Sequence, residues 1–271
     1  MPFTTNLHTH THRCQHAEGD VRDYAQVASE AGLAVLGMSD HTPLPDGRWP
    51  DMRMALADLD DYQQAVVRAR EEFPQLRILI GLECEFAPEY EAFYRDEILG
   101  RRGFDYLIAG CHFTPLEGRW IPSFGGLDSA RTLRAYADYT IRTMASELFA
   151  FVTHPDLIGC SNPVWTTDTA ACARDIAQAA AALGVPLELN SYGFRKPWLE
   201  TPGGRRPAYP WLPFWETVAD RGATVVLSSD AHRPMDTVAG YAEVAAIRDR
   251  FTLREADLGY LTCPGRGVGA R

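Results

Sequence analysis

The sequence predicts an α/β fold, a barrel of parallel strands each followed by a helix. Three observations lead there. Short apolar runs alternate along the chain with longer stretches of helical period. Several of these runs, such as Ile78-Leu79-Ile80 and Val225-Val226-Leu227, are apolar at successive positions, as in strands buried on both faces of a parallel sheet. The chain is 271 residues long and 46% hydrophobic, enough for one large core. Seven strand–helix repeats favour closure into a barrel over an open sheet.

The expected strands are residues 5–10, 34–39, 77–83, 106–111, 150–153, 186–190 and 224–229. Between the first two, Asp20 caps a helix that ends at Gly32. Residues 55–73 form a helix charged along one side. Residues 128–146 keep Leu133, Ala137, Ile141 and Met144 at helical spacing. Thr167 or Asp168 caps an Ala-rich helix that ends at Gly184, and residues 211–221 and 237–251 supply the last two. Residues 43–51 and the Pro-, Gly- and Arg-rich stretch 199–210 read as loops. With no repeat, low-complexity run or linker, residues 1–271 read as a single domain, with 263–271 a mobile tail.

The formal net charge of −10 disfavours long nucleic acid, and an anionic substrate would need a local positive site. The six cysteines contain no C-x-x-C pair, so they read as reduced thiols in a cytoplasmic protein. No leader pattern opens the chain and no apolar run is long enough for a bilayer, which argues against a membrane partner.

The eight histidines are distributed unevenly. His8 and His10 end the first strand, with His12 and His16 just beyond. His41 follows the second strand, His112 the fourth, His154 the fifth and His232 the seventh, while the third strand ends in Glu83. None lies in an expected helix. In barrels of parallel strands, function collects at the C-terminal strand ends, where these residues fall. Residues two apart in a strand face the same way, so His8-x-His10 aims two imidazoles at one point, and Asp230-x-His232 repeats the device. Imidazoles with carboxylates suit Zn, Mn or Fe, and the donors exceed what one tetrahedral ion needs. Glu83 is a candidate to bridge two ions. Cys14, Cys84 and Cys111 sit next to or close to these positions and read as packing residues whose side chains point away.

Taken in order, H-x-H, a further His, S-D-H, G-L-E, C-H, T-H-P-D and S-D-A-H resemble the polymerase and histidinol phosphatase (PHP) superfamily from His8 to His232. Within it, the chain is most similar to the histidinol-phosphate phosphatases. The likeness rests on His8-Thr9-His10-Thr11, Cys14-x-His16-Ala17-x-Gly19, Ser39-Asp40-His41-x-Pro43, Arg53-Met54 and Gly81-Leu82-Glu83. It continues through Asn190-x-x-Gly193-x-Arg195-Lys196-Pro197 and Tyr209-Pro210. Residues 156–162 and 114–126 depart from the family pattern.

The resemblance implies a distorted (β/α)7, TIM-like barrel of PHP type with three divalent metal ions (Zn, Mn or Fe). One would take His8, His10, Glu83 and Asp230; a second Glu83, His112 and His154; a third His16, His41 and His232. It implies hydrolysis of a small phosphate ester such as histidinol phosphate, with a metal-bound hydroxide held by Glu83 and Asp230 as nucleophile and Arg195 clamping the phosphate. Asp40, Asp156 and His12 are candidates to support the ligands from behind, the two carboxylates by fixing an imidazole tautomer. Glu85 is another candidate of this kind, and Arg13, Arg119 and Arg233 are expected on the surface near the site. Alternatives are a related phosphoesterase acting on a nucleotide or cyclic phosphodiester, a non-catalytic metal-binding module, or an amidohydrolase.

Overall fold

The structure, a computed structural model, describes residues 3–262. The expected mobile tail at 263–271 lies outside the described residues.

Strands and helices run in chain order as β1 (Thr5–Asn6), α1 (Val21–Glu30), β2 (Val35–Met38), α2 (Leu59–Glu72), β3 (Arg77–Cys84), β4 (Tyr106–Ala109), β5 (Phe113–Leu116) and β6 (Arg119–Pro122). They continue as α3 (Ala130–Ala145), α4 (Thr167–Leu183), β7 (Leu187–Asn190), β8 (Leu199–Thr201), β9 (Gly204–Arg206), α5 (Leu212–Arg221), β10 (Val225–Ser228), α6 (Tyr241–Arg250) and α7 (Gly259–Thr262). The alternation gives an α/β fold. The chain divides into two compact units. One takes the described residues up to Ile108, Ser228–Ala239 and those from Asp257 on; the other takes Ala109–Leu227 and Gly240–Ala256.

The first unit is built on a sheet in the order β1-β2-β3-β4, with β1, β2 and β3 parallel. Its strands are apolar at successive positions because they are covered on both faces, and β2 is buried at all four. The Asp20 cap holds: its carboxylate accepts from the first turn of α1, and Asp23 returns a bond to the Asp20 backbone. Tyr106 lies across the sheet, where a Cβ at Gly81 would come within 2.6 Å of its ring, so Gly81 in the G-L-E stretch makes room for it. Its hydroxyl donates to Leu7 O at 2.7 Å.

The second unit pairs β7 with β10, and Val152 bridges to both Ala109 and Leu187. Helices α3, α4 and α5 pack in sequence order, and α6 packs on β7. Thr166 caps α4 with a capping box and Gly184, at φ 66°, ends it in the left-handed conformation.

Several expectations need correction. The loop expected at 199–210 contains a hairpin, with β8 and β9 antiparallel around Pro202-Gly203. Residues 114–126 also hold a hairpin, β5–β6, joined by Glu117 (φ 51°) and Gly118 (φ 77°), two positive φ values that match the strand twist. The expected strand at 5–10 has a regular ladder only over Thr5–Asn6, and the one at 150–153 is reduced to the bridges of Val152. The last long helix starts at Tyr241 rather than 237, after a 3-10 turn at Pro234–Asp236. His12 lies in a short 3-10 helix, His12–Cys14, where no helix is expected for any histidine. A π-helix at Phe93–Arg101 was not foreseen.

Candidate functional site

In the first unit, the chain carrying His8 and His10 is clamped on both sides. Ser39 N donates to Thr9 O at 3.0 Å, and His10 N donates to Ala231 O at 2.9 Å. Asn6 ties the same neighbours together, donating to Ser229 Oγ at 2.6 Å and Thr237 O at 2.9 Å. On the far side of Ser39, Glu83 N donates to Ser39 O at 3.1 Å, and Thr42 N to Glu83 O at 2.9 Å. Backbone bonding thus sets residues 230–232, 8–10, 39–41 and 83 side by side, and all six donors His8, His10, His41, Glu83, Asp230 and His232 are buried.

Their separations have the dimensions of a metal site. His8 Nε2 is 3.0 Å from His10 Nε2, 3.4 Å from Glu83 Oε2 and 3.5 Å from Asp230 Oδ1. His10 Nε2 is 3.7 Å from Glu83 Oε2 and 3.1 Å from Asp230 Oδ1. Donors about 2.1 Å from one tetrahedral ion stand about 3.4 Å apart, and His8, His10 and Asp230 bring donor atoms together at that spacing, with Glu83 Oε2 beside both imidazoles. Beside them, His10, His41 and His232 bring donor atoms within 4.8 Å of one another, and so do Cys14, His16 and His232. His41 Nδ1 is 3.1 Å from Glu83 Oε2, so one carboxylate oxygen lies beside both imidazoles of that set and His41. The donors clustered here support more than one metal ion.

Electrostatics in this cluster follow from packing charges where water is excluded. Burial pulls the His10 pKa down, but hydrogen bonds to Asp230 and Asp40 outweigh it and leave the value raised. Burial pushes Asp230 up, yet the surrounding imidazoles, His8 first, hold it well below the usual carboxylate range. Burial lowers His232, which favours its neutral, metal-binding form.

Around these donors, some expectations change. Cys14 does not point away: the chain turns through the 3-10 helix, and the buried thiol falls among the donor groups of His10, Asp40, His16 and His232. Burial raises its pKa. Cys84 does pack aside, with its sulfur 2.8 Å from Thr42 Oγ1. Arg13 is buried, not on the surface, and its guanidinium pairs with Asp20 and Asp61. Arg119 and Arg233 are exposed as expected. Asp40 accepts from Thr11 N at 3.0 Å, Thr11 Oγ1 and His41 N at 2.8 Å, and its Oδ1 lies 3.6 Å from His10 Nδ1. It fixes the turn and faces an imidazole at once. His12 is exposed, with Nδ1 3.1 Å from Gly19 O. Glu85 is buried against Arg53, at 3.1 Å.

In the second unit, His112 and His154 stand with ring centroids 4.9 Å apart. Phe124, just past the β5–β6 hairpin, stacks on His112 at 5.8 Å and lies 6.0 Å from His154; Tyr209 is also 6.0 Å from His154. Arg195 Nη1 donates to Ser191 Oγ at 3.3 Å, and the guanidinium lies 5.0 Å from the Tyr192 ring centroid. A Cβ at Gly193 would overlap Tyr209 O, so only glycine lets the Asn190–Pro197 segment lie against that residue. Glu188 escaped the sequence reading. It is buried on β7 and accepts from His154 N at 2.9 Å and Asn190 Nδ2 at 2.8 Å. A carboxylate within the apolar run Leu187-Glu188-Leu189 was the available signal.

Asp156 differs from its expected role. Its Oδ2 accepts from Trp211 N at 2.7 Å and Trp215 Nε1 at 2.9 Å, rather than from an imidazole, and burial pushes its pKa up to about 6. The departing stretch 156–162 is held by Arg206, whose Nη2 donates to Gly159 O at 3.1 Å and Asn162 O at 2.6 Å.

Seven non-glycine residues have positive φ, and the two that are buried are His154 (φ 28°) and Asp230 (φ 50°), one in each unit. Left-handed backbone costs such residues on the order of 1–3 kcal/mol and persists where surrounding structure imposes it, commonly at functional sites.

Comparison with known proteins agrees with these features. Residues 6–192 match the family model described as PHP domain. A probable histidinol-phosphatase from Deinococcus radiodurans is 35% identical over 260 residues, covering 92% of this chain and 94% of that protein. The fold is similar to that of histidinol phosphate phosphatase from Lactococcus lactis, solved with zinc, L-histidinol and phosphate, with a TM-score of 0.72 at 18% identity, covering 93% and 95% of the two chains. A histidinol phosphatase structure from Listeria monocytogenes gives a TM-score of 0.71 at 21% identity, covering 88% and 99%. Among the described residues, no helix is long and apolar enough to cross a membrane.

Proposed function

The chain belongs to the PHP domain family, and from that premise we propose that it is a metal-dependent phosphomonoester hydrolase that converts L-histidinol phosphate and water to L-histidinol and phosphate. The observation that carries this is the set of His8, His10 and Asp230, whose donor atoms stand 3.0–3.5 Å apart as ligands of one ion do, with Glu83 Oε2 3.4–3.7 Å from both imidazoles. His16, His41 and His232 would hold a further ion, His112 and His154 are candidate donors within the second unit, and three ions are the complement that family membership leads us to expect. Bound metals neutralise phosphate charge and bring the pKa of water toward neutrality.

The protein's own groups do the rest. Glu83 and Asp230 keep two negative charges among the imidazoles, so that cations are held while the imidazoles stay neutral. Asp40 and Glu188 hold backbone amides of His41 and His154, which fixes where those rings start. Arg195 supplies a planar fork for phosphate oxygens. A cytoplasmic setting belongs to the same proposal and is supported by the five described cysteines, none of which forms a disulfide. A distorted seven-stranded barrel is the form that family membership leads us to expect for the strands.

A second reading keeps the chemistry and changes the ester. The β5–β6 hairpin and the Arg206-held stretch after Asp156 are where the chain departs from the family pattern, and they support a different small phosphate ester. Phosphate release from L-histidinol phosphate, with Mn or Zn supplied, beside nucleotide and sugar phosphates, separates the two. Preferential turnover of L-histidinol phosphate supports the first; preferential turnover of another ester moves the assignment to the second. No release from any ester by metal-loaded protein would overturn both.

A further inference from the structure

Lys196 is the only lysine in the chain; all the other basic residues among the 26 are arginines. In a protein so committed to arginine, the one exception marks a place where a guanidinium serves less well. The two cations differ in shape: arginine offers a flat, rigid fork, lysine a compact ammonium whose three N–H groups turn freely on a flexible stem.

The position of Lys196 fits that difference. It follows the 3-10 turn Tyr192–Arg195, and its Nζ lies 4.2 Å from the Tyr192 ring centroid and 5.4 Å from that of Phe124. Phe124 in turn stacks on His112, with planes 12° apart, and borders His154. The ammonium is therefore held between two ring faces, one of which belongs to the wall of the histidine pair. Among the described residues, no carboxylate pairs with it and no hydrogen bond engages its Nζ. Arg195 is differently employed, with Nη1 on Ser191 Oγ. On a chain of net charge −10, an ammonium without a carboxylate partner is a local attraction for an anion.

We propose that Lys196 binds the anionic phosphate group of the substrate beside His112 and His154, held by the Tyr192 and Phe124 rings and free to turn its N–H groups to the oxygens. This rests on the phosphatase assignment. An arginine here would stack flat on the same rings and offer its fork in a fixed direction, so charge alone would not replace it.

The single lysine makes a direct test possible. Reductive methylation of the full, metal-loaded chain labels two amines, Lys196 and the N-terminus, and mass spectrometry follows them separately. With inorganic phosphate as the probe, Lys196 labelling should slow several-fold while the N-terminal amine, the internal control, is unchanged. With the ester turned over best, Lys196→Ala should raise KM roughly tenfold or more with a much smaller change in kcat, as expected for loss of a charged hydrogen bond made to bound substrate, and Lys196→Arg should recover only part of it. Equal labelling with and without phosphate, together with wild-type KM in Lys196→Ala, would overturn the proposal while leaving the phosphatase assignment intact. If the wild type releases no phosphate from any ester, that assignment fails separately, and the labelling rates still decide whether Lys196 binds the anion.

Discussion

The two units carry contrasting sets of groups. In the first, imidazoles crowd around Glu83 and Asp230, and the donors approach as closely as ligands of one ion. In the second, two imidazoles pack against Phe124, Tyr209 lies beside His154, and Lys196 lies over the Phe124 and Tyr192 rings. The first has the chemistry to hold cations, and the second has the chemistry to hold an anion and an organic group. Each also contains one buried, left-handed ligand candidate, Asp230 or His154. The contrast predicts that substitutions at Glu83 or Asp230 act chiefly on metal retention and substitution at Lys196 chiefly on ester recognition.

The largest effect should come from the first unit. Asp230→Asn or Glu83→Gln keeps shape but removes the charge that offsets bound cations. Each should cost on the order of a thousandfold or more in kcat/KM and release metal, because losing a ligand removes the activated water and the charge neutralisation together. Circular dichroism should show the fold retained; full activity in either variant would break the contrast at its strongest point.

An intermediate effect is expected from the second unit. Glu188 accepts from the His154 amide, so Glu188→Gln should loosen His154 rather than delete it, at roughly 10–100-fold in activity or metal affinity. A loss as deep as that of Asp230→Asn would mean that the two units do not differ as described.

The smallest catalytic effect belongs to Asp20. It caps α1 and pairs with the buried Arg13, which itself donates to Thr11 Oγ1 at 3.3 Å. Asp20→Ala should lower stability by roughly 1–3 kcal/mol in chemical denaturation, through the lost cap and a weakened ion pair, with kcat per folded molecule unchanged. A drop in kcat would connect Arg13 to the chemistry.

Much of this was legible in the sequence because strand ends gather functional groups and apolar runs mark buried strands. That logic singles out His8, His10, His41, Glu83, Asp230 and His232, and backbone bonding sets these segments side by side. It failed where the chain leaves the pleat. Cys14 was expected to point away, but the pleat stops at the 3-10 helix beginning at His12, and Gln15 at φ 69° turns the chain. Arg13 was expected on the surface because its partners, Asp20 and Asp61, are distant in sequence or hidden in helix periodicity. The β5–β6 and β8–β9 hairpins are rich in Pro and Gly, which mask strand propensity, and only the turn residues betray them. Glu188 was missed because one carboxylate in an apolar run looks like a strand irregularity until its two donors are known.

The most direct test of the central claim is a metal count on the purified, folded chain by elemental mass spectrometry after loading with Zn or Mn and removal of loose ions. Wild type should retain more than one ion per chain, and Asp230→Asn should retain fewer and lose phosphate release with them. A folded wild type that retains no metal, or hydrolyses phosphate esters equally well after chelation, would contradict it.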